Sequence, residues 1–217
     1  MMTHVIDGES GIRHLLARMR RFRLGGRWYL ALLIPPVTII AVLTVLARYD
    51  SPVFAHGRYL LGATFGIAAA FFEEIGWTGF AFPKMRRAGH ALGPAILLGL
   101  LWSCWHLPVI SYLGTTAPHV HYWLLYFLAF GSTMTAMRVL ISWVYSNTES
   151  LALAQLLHLS STGSLVVLSP PRVSPAQEVF WYVVYGAALW VIVGFVTLAF
   201  GKGLAGRKTS GLSNSNP

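Results

Sequence analysis

Residues 178–200, EVFWYVVYGAALWVIVGFVTLAF, contain one charged residue, Glu178, at the first position and none after it. A helix needs about 20 apolar residues to cross the hydrocarbon core of a bilayer, so this segment is long enough to span one. Five further apolar stretches precede it. We therefore predict an all-α membrane protein, a bundle of about six transmembrane helices. The predicted spans are residues 28–47, 59–83, 91–110, 122–146, 150–168 and 178–200.

The composition also indicates a membrane protein. Of the 217 residues, 55% are hydrophobic and 11% are charged, whereas soluble domains carry about 25% charged residues. The single cysteine, Cys104, excludes an internal disulfide and a cysteine-based zinc cluster. The net charge of +9 comes mainly from basic residues that flank the apolar spans. Since no nucleic-acid-binding motif accompanies them, we expect these residues to contact membrane lipids and not nucleic acid.

The positions of the basic residues predict the orientation. Twelve of the 16 Lys and Arg residues lie before the first span, after the last one, or between the second and third spans. Three lie in the connections on the opposite side, and Arg138 lies inside the fourth span. Cytoplasmic loops carry an excess of Lys and Arg. We therefore predict that both termini are cytoplasmic, in what we expect to be a bacterial plasma membrane.

Three regions divide the chain. Residues 1–27 form a predicted cytoplasmic segment, in which residues 9–24, ESGIRHLLARMRRFRL, are typical of a basic amphipathic helix on the membrane surface. Residues 28–200 form the predicted transmembrane domain. Residues 201–217 are rich in Gly, Ser and Asn and are predicted to be a disordered polar tail.

Two adjacent glutamates, Glu73 and Glu74, lie within the second predicted span. A charged residue at the centre of a span costs on the order of 2.5–3.5 kcal/mol, so both are candidates for function. Neighbours on a helix project about 100° apart, so the two carboxylates cannot address one point in the same way. Gly62, Gly66 and Ala70 precede them at four-residue intervals and allow another helix to approach closely. The carboxylates are therefore predicted to face protein. A structural ion pair or a protonated interhelical hydrogen bond remains the alternative.

Two histidines lie within later spans. His106 belongs to WSCWHLP, and an interfacial histidine is its alternative interpretation. His158 shares a polar face of its helix with Gln155, Ser161 and Thr162, at offsets of three and four residues. Its alternative is a histidine that hydrogen-bonds a neighbouring helix for packing alone. In the loop before the fourth span, His119 and His121 are close enough in sequence to bind a metal.

The depths of the polar residues test whether they can meet. Counted from the predicted cytoplasmic turns, Glu73 lies 14 residues away, His106 19, and His158 and Arg138 10 each. At 1.5 Å per residue these depths spread over about 13 Å. Tilt and kinks absorb much of that spread, and His106 is the outlier.

Three segments carry a family resemblance. FFEEIGWTGF (71–80), WSCWHLP (102–108) and NTESLALAQLLHLSSTGS (147–164) resemble, in order, the three motifs of the CPBP family of CAAX proteases and bacteriocin-processing enzymes, also called Abi proteins. The family pattern is EExxxR, an aromatic residue four positions before a histidine, and HxxxN or HxxxD. Its members are described as intramembrane glutamic proteases and include the type II CAAX prenyl endopeptidase. The resemblance runs from about Arg13 to Phe200.

The resemblance implies a role for each matching residue. Glu73 matches the general base that activates water, and Glu74 matches its supporting neighbour. His106 matches the histidine that helps to bind this water, with Trp102 at the aromatic position. His158 and the residue four positions later, Thr162, match the pair that stabilises the oxyanion.

Two positions depart from the family pattern. Thr78 replaces the arginine of EExxxR, and Thr162 replaces the Asn or Asp of the third motif. Without that arginine, two adjacent buried carboxyl groups lack a cation. We therefore expect Arg138, at comparable depth on the fourth span, to pair with Glu74. Its alternative is to extend toward the membrane interface.

Together these features predict an intramembrane glutamic-type endopeptidase that acts on a peptide or lipid-modified protein substrate. The resemblance implies no cofactor, although two histidines and two glutamates leave zinc as an alternative. A non-catalytic scaffold or immunity protein of the same fold and a proton-coupled transporter are the other hypotheses. Because family members begin with further helices, we expect this chain to be shortened relative to them.

Overall fold

The computed structural model describes residues 2–57, 62–87, 89–112 and 120–206. Helices dominate these ranges, which contain no β-strand and one isolated bridge between Arg87 and His90. The α-helices are α1 (Met2–Met19), α2 (Ile34–Tyr49), α3 (Gly62–Gly76), α4 (Phe82–Met85), α5 (Leu92–Trp105), α6 (Leu107–Tyr112), α7 (Trp123–Thr148), α8 (Leu151–Leu168) and α9 (Pro175–Phe200). A π-helical turn, Trp77–Ala81, joins α3 to α4, and 3-10 helices cover Gly26–Leu33, Pro52–Phe54 and Val120–Tyr122.

The fold class predicted from the sequence is confirmed. Four described segments are long and apolar enough to cross a membrane, namely Gly26–Tyr49, α7, α8 and α9. The other two predicted spans are present as interrupted helices. One runs through α3, the π-helical turn and α4, and the other consists of α5 and α6. Large apolar side chains such as Phe195 and Leu198 are exposed on the outside of the bundle. The chain is an all-α integral membrane protein.

Besides the span that contains the π-helical turn, two predicted spans differ from one continuous α-helix. The span predicted over residues 91–110 breaks at His106, between α5 and α6. The span predicted over 28–47 lies within Gly26–Tyr49, where a 3-10 helix gives way to α2 at Ile34. Pro35 and Pro36 follow this point, because the first turn of a helix does not need their missing N–H groups.

Helix α7 lies at the centre of the bundle and packs against α5, α8 and α9. Small residues set the closest approaches. A Cβ atom added to Gly99 of α5 would lie 2.6 Å from the Cα atom of Thr135 on α7. Likewise, a Cβ atom on Gly66 of α3 would lie 3.2 Å from the backbone nitrogen of Gly163 on α8. Within a membrane, such close packing is a main source of helix association.

The turn between α7 and α8 brings two polar residues to a common depth. Glu149 has a left-handed conformation (φ 50°) and ends α7, and the side chain of Ser150 accepts a hydrogen bond from the backbone of Leu153 to begin α8. The two helices therefore run antiparallel from this point. Arg138 lies ten residues before Thr148 and His158 lies eight residues after Ser150.

The helix predicted over residues 9–24 corresponds to α1, which ends at Met19 and is kinked at Gly8 (φ 62°); its place on the membrane surface stays a prediction. Leu15 is buried, and Arg18 donates hydrogen bonds to the carbonyl oxygen of Gly79 at 2.8 Å and to the hydroxyl of Tyr145 at 2.6 Å. Thus α1 binds directly to the π-helical turn. We call this side of the molecule the basic end, since it carries Lys84, Arg86, Arg87 and Lys202.

The predicted tail begins with described residues and continues beyond them. Leu204 is buried, and its carbonyl oxygen accepts a hydrogen bond from Asn147 at 2.8 Å. Residues 207–217, for which disorder was predicted, lie outside the described residues.

Candidate active site

Glu74 and Arg138 form a bidentate ion pair in the centre of the bundle. Arg138 Nη2 lies 2.8 Å from Glu74 Oε1, and Arg138 Nη1 lies 3.0 Å from Glu74 Oε2. Both residues have 0% exposed surface. The pairing expected from the sequence is therefore present. Bidentate pairs of this kind fix geometry as well as charge.

Two more side chains complete the contacts of Glu74. His158 Nδ1 lies 2.8 Å from Glu74 Oε1, and the hydroxyl of Thr78 donates to Glu74 Oε2. Arg138 Nη1 also donates to Thr78 Oγ1 at 3.3 Å. Both carboxylate oxygens of Glu74 thus accept two hydrogen bonds each. A buried charge with this many partners is held in one position.

Trp102 connects this ion pair to the second glutamate. The guanidinium carbon of Arg138 lies 4.4 Å from the centroid of the Trp102 ring, in a cation–π contact. The indole nitrogen of the same ring donates to Glu73 Oε2 at 2.6 Å. The ring also meets His158 edge-on, with centroids 4.9 Å apart. Trp102 therefore contacts Glu73 directly, and it also contacts Arg138, the cation that pairs with Glu74.

Glu73 has far fewer partners than Glu74. It is partly exposed, and the bond from Trp102 is its only side-chain hydrogen bond to the described residues. Its second oxygen, Oε1, has no bond of this kind. The two adjacent acids therefore diverge, as their 100° separation predicts, and only Glu73 keeps a free oxygen.

His106 lies at the break between α5 and α6. Its Nδ1 lies 2.8 Å from the carbonyl oxygen of Trp102, and its ring packs against Trp102 and Phe130. The bond to a carbonyl oxygen assigns the proton to Nδ1, so Nε2 is the nitrogen left for other contacts. No hydrogen bond joins His106 to Glu73 among the described residues.

Two of the predicted residues that the structure describes stay outside this network. Thr162 is partly buried, and its side chain makes no hydrogen bond within the described ranges. His121 is exposed in the 3-10 helix before α7, and its neighbour His119 lies outside the described residues. Among the described residues, no three His, Cys, Asp or Glu side chains are grouped to hold a metal ion.

Comparison with known proteins identifies the family. A family model described as type II CAAX prenyl endopeptidase Rce1-like matches residues 54–163, which is half of the chain. This range contains every residue of the network. The chain belongs to the type II CAAX prenyl endopeptidase Rce1-like family. A relative named CAAX prenyl protease 2, from Methanococcus maripaludis, is 32% identical over 94 residues, or 42% of this chain. That match covers 35% of the relative, so the chain corresponds to about a third of its length.

Within the Rce1-like match, the structure adds two features that sequence reasoning did not contain. One is the use of Trp102 as a hydrogen-bond donor to Glu73 and a platform for Arg138. The other is the π-helical turn that carries Thr78. The spacing of Trp102 and His106 marked the tryptophan as a candidate, but its two contacts depend on how α5 is rotated against α3 and α7.

Proposed function

We propose that this chain is an intramembrane endopeptidase in which Glu73 activates water to hydrolyse a peptide bond of a membrane-associated protein. One observation carries the proposal. Of two adjacent acids, Glu74 is saturated by Arg138, Thr78 and His158, whereas Glu73 keeps one oxygen free and remains partly exposed. The first arrangement fits a structural acid and the second fits a general base.

The reaction needs no covalent intermediate. Glu73 takes a proton from water as the oxygen attacks the peptide carbonyl, and the carbonyl oxygen becomes an oxyanion. Glu73 then gives this proton to the departing amine, which completes the cleavage of the C–N bond. Positioned donors stabilise the oxyanion most strongly in a site that excludes bulk water. With the proton of His106 on Nδ1, the Nε2 atom of the neutral ring is an acceptor, which can hold the attacking water beside Glu73.

Glu74 has a supporting role in this proposal. Its bonds to Arg138 and His158 join α3, α7 and α8 at one point and set the position of its neighbour Glu73. His158 then acts as an oxyanion donor only when both of its ring nitrogens carry protons, because Nδ1 already faces Glu74.

The name of the archaeal relative supports a substrate class. That protein is a CAAX prenyl protease, and we propose a C-terminal, lipid-modified or bacteriocin-like peptide as substrate here. We also propose that the basic end faces the cytoplasm, since basic residues are retained on that side of bacterial membranes.

A cleavage assay in proteoliposomes tests the proposal. Two quenched fluorescent peptides with a C-terminal Cys-aliphatic-aliphatic-X sequence, one farnesylated and one not, serve as probes. We expect Glu73→Gln to lower kcat by at least about 100-fold, the usual contribution of a general base. Glu149→Gln is the matched control, because Glu149 is an exposed acid at the basic end. Cleavage by Glu73→Gln at the parent rate would refute the role of this residue.

A non-catalytic scaffold is the second candidate, favoured by the absence of Thr162 from the network. It predicts that neither peptide is cleaved and that membrane proteomes of cells with the parent and with Glu73→Gln are the same. A membrane peptide whose processing requires Glu73 would exclude the scaffold.

A further inference from the structure

The buried serine and threonine hydroxyls on α7 fall into two groups. Three of them donate back to the carbonyl oxygen four residues earlier, at 2.8–2.9 Å, as hydroxyls in apolar helices commonly do. These are Thr133, Thr135 and Thr148. The hydroxyls of Ser142 and Ser146 are buried on the same helix and have no hydrogen-bond partner among the described residues.

A third unpartnered group lies on the same face. Arg138 Nε is buried without a partner, although both terminal nitrogens of this side chain are bonded. Arg138, Ser142 and Ser146 follow each other at intervals of four residues. Successive members therefore lie one turn apart, and the three groups form a stripe that leads from the ion pair toward the basic end.

This stripe ends at a cavity. Ser146 lines a cavity of about 320 Å³ at the basic end, together with Arg86, Arg87, Gly203 and others. On the other side of Arg138, by contrast, the hydroxyls of Ser103 and Thr135 are bonded to the carbonyl oxygen of Gly131. On α7, the described groups without a partner thus lie at Arg138 and on its basic side, while the hydroxyl of Tyr185 on α9 is also buried without a partner.

We propose that water fills a narrow column along this stripe, from the cavity at the basic end to Arg138 Nε. An unpaired buried polar group costs about 1–3 kcal/mol, and the low dielectric of a membrane bundle keeps that cost high. A rise of 1.5 Å per residue separates Ser142 from Ser146 by about 6 Å, close to two hydrogen-bond lengths. A single water molecule therefore bridges the two hydroxyls, and another connects Ser142 to Arg138.

The column has a physical role that does not depend on peptide cleavage. It supplies a hydrogen-bond acceptor for Arg138 Nε, the one guanidinium nitrogen without a partner among the described residues, and lowers the cost of burying the ion pair with Glu74. Because the Ser103, Thr133 and Thr135 hydroxyls beyond Arg138 are bonded internally, the column along α7 is open at the basic end only. This arrangement differs from a transporter, which needs water access from both faces.

Silver ions test the column, since Ag⁺ is close to water in size and binds thiolates. Ser142→Cys and Ser146→Cys are made in a Cys104→Ser background, which removes the only native cysteine. Ile141→Cys and Val144→Cys are matched controls, because both positions are buried on the same turns of α7. After exposure of sealed membrane vesicles to Ag⁺, the unreacted thiols are counted by alkylation in denaturant. Thermal unfolding confirms that each variant folds.

We expect both serine-derived thiols to react at least tenfold faster than the two controls, and only when Ag⁺ is added at the basic end. His121→Cys, exposed at the opposite end, reports the orientation of the vesicles. Adding Ser146→Leu to Ser142→Cys should block the reaction of the deeper thiol. If Ser142→Cys is as unreactive as the controls, or still reacts behind Ser146→Leu, the column is refuted.

Discussion

Arg138 and Glu74 are separated by 64 positions in the chain, yet their side chains form a bidentate ion pair that is buried from solvent on all sides. The pair joins α3 to α7. Where the family motif has an arginine four residues after Glu74, this chain has Thr78, and the cation comes from another helix instead. The site thus has one cation for Glu74, but residue 138 supplies it and not residue 78.

Replacing Arg138 by Met should destabilise the protein by about 3–5 kcal/mol, because the carboxylate of Glu74 would stay buried without its cation. The free energy of unfolding in mixed micelles measures this loss. Adding Thr78→Arg to Arg138→Met should recover part of it, since a guanidinium four residues from Glu74 reaches the same carboxylate. An Arg138→Met variant as stable as the parent would show that the pair contributes nothing to stability.

Trp102→Phe should lower kcat with little change in KM, because the ring remains under Arg138 while the donor to Glu73 is lost. A hydrogen bond to a charged group is worth about 1.5–3 kcal/mol. Trp105→Phe is the control, since Trp105 lies one turn away and is exposed. Steady-state kinetics of peptide cleavage separates the two parameters. Equal effects of both variants would contradict a specific role of the Trp102 nitrogen.

Gly99→Ala should destabilise the bundle by about 1–3 kcal/mol, the usual cost of overpacking. The new methyl group would meet the backbone of Thr135 at 2.6 Å, which cannot move aside as a flexible side chain would. Gly93→Ala on the same helix has no atom within 4 Å of its new Cβ and should be neutral or stabilising. The order of the two melting temperatures decides the prediction, and a reversed order would refute the close contact between α5 and α7.

Arg18→Ala should reduce peptide cleavage more than Arg13→Ala does. Both changes remove one positive charge from α1, but only Arg18 bonds to Gly79 and Tyr145. Gly79 follows Thr78 in the π-helical turn, so loss of the bond loosens the segment that supports Glu74. The affinity of each variant for anionic vesicles is measured in parallel, which shows how far the lost charge weakens lipid binding. Should the two variants lose activity equally, the effect would come from charge at the membrane and not from the bond.

The helices and the main ion pair were predictable from the sequence because both follow from strong energetic demands. Apolar runs of spanning length have few alternatives to a membrane helix. A buried carboxylate needs a cation, and Arg138 is the basic residue placed within a predicted span at comparable depth. These demands are independent of small changes in helix rotation, so they can be recognised without coordinates.

Other features depended on details that periodicity does not contain. The break at His106, the π-helical turn and the second contact of Trp102 are determined by local backbone geometry and by the rotation of α5. Thr162 is an example of a contact that periodicity suggested and the structure does not contain. It shares a helical face with His158, yet its side chain is not bonded to the network. Position on a face predicts proximity, whereas a hydrogen bond requires a particular rotamer.

The double use of Trp102 restricts how this chain can change by mutation. Phenylalanine and tyrosine offer a ring face but no ring nitrogen, and histidine offers a nitrogen with a much smaller face. Tryptophan also has a single codon, so every nucleotide substitution at that position removes both contacts together. Related chains that have lost this residue would therefore have to acquire compensating changes near Glu73 and Arg138 at the same time, or drift toward inactivity.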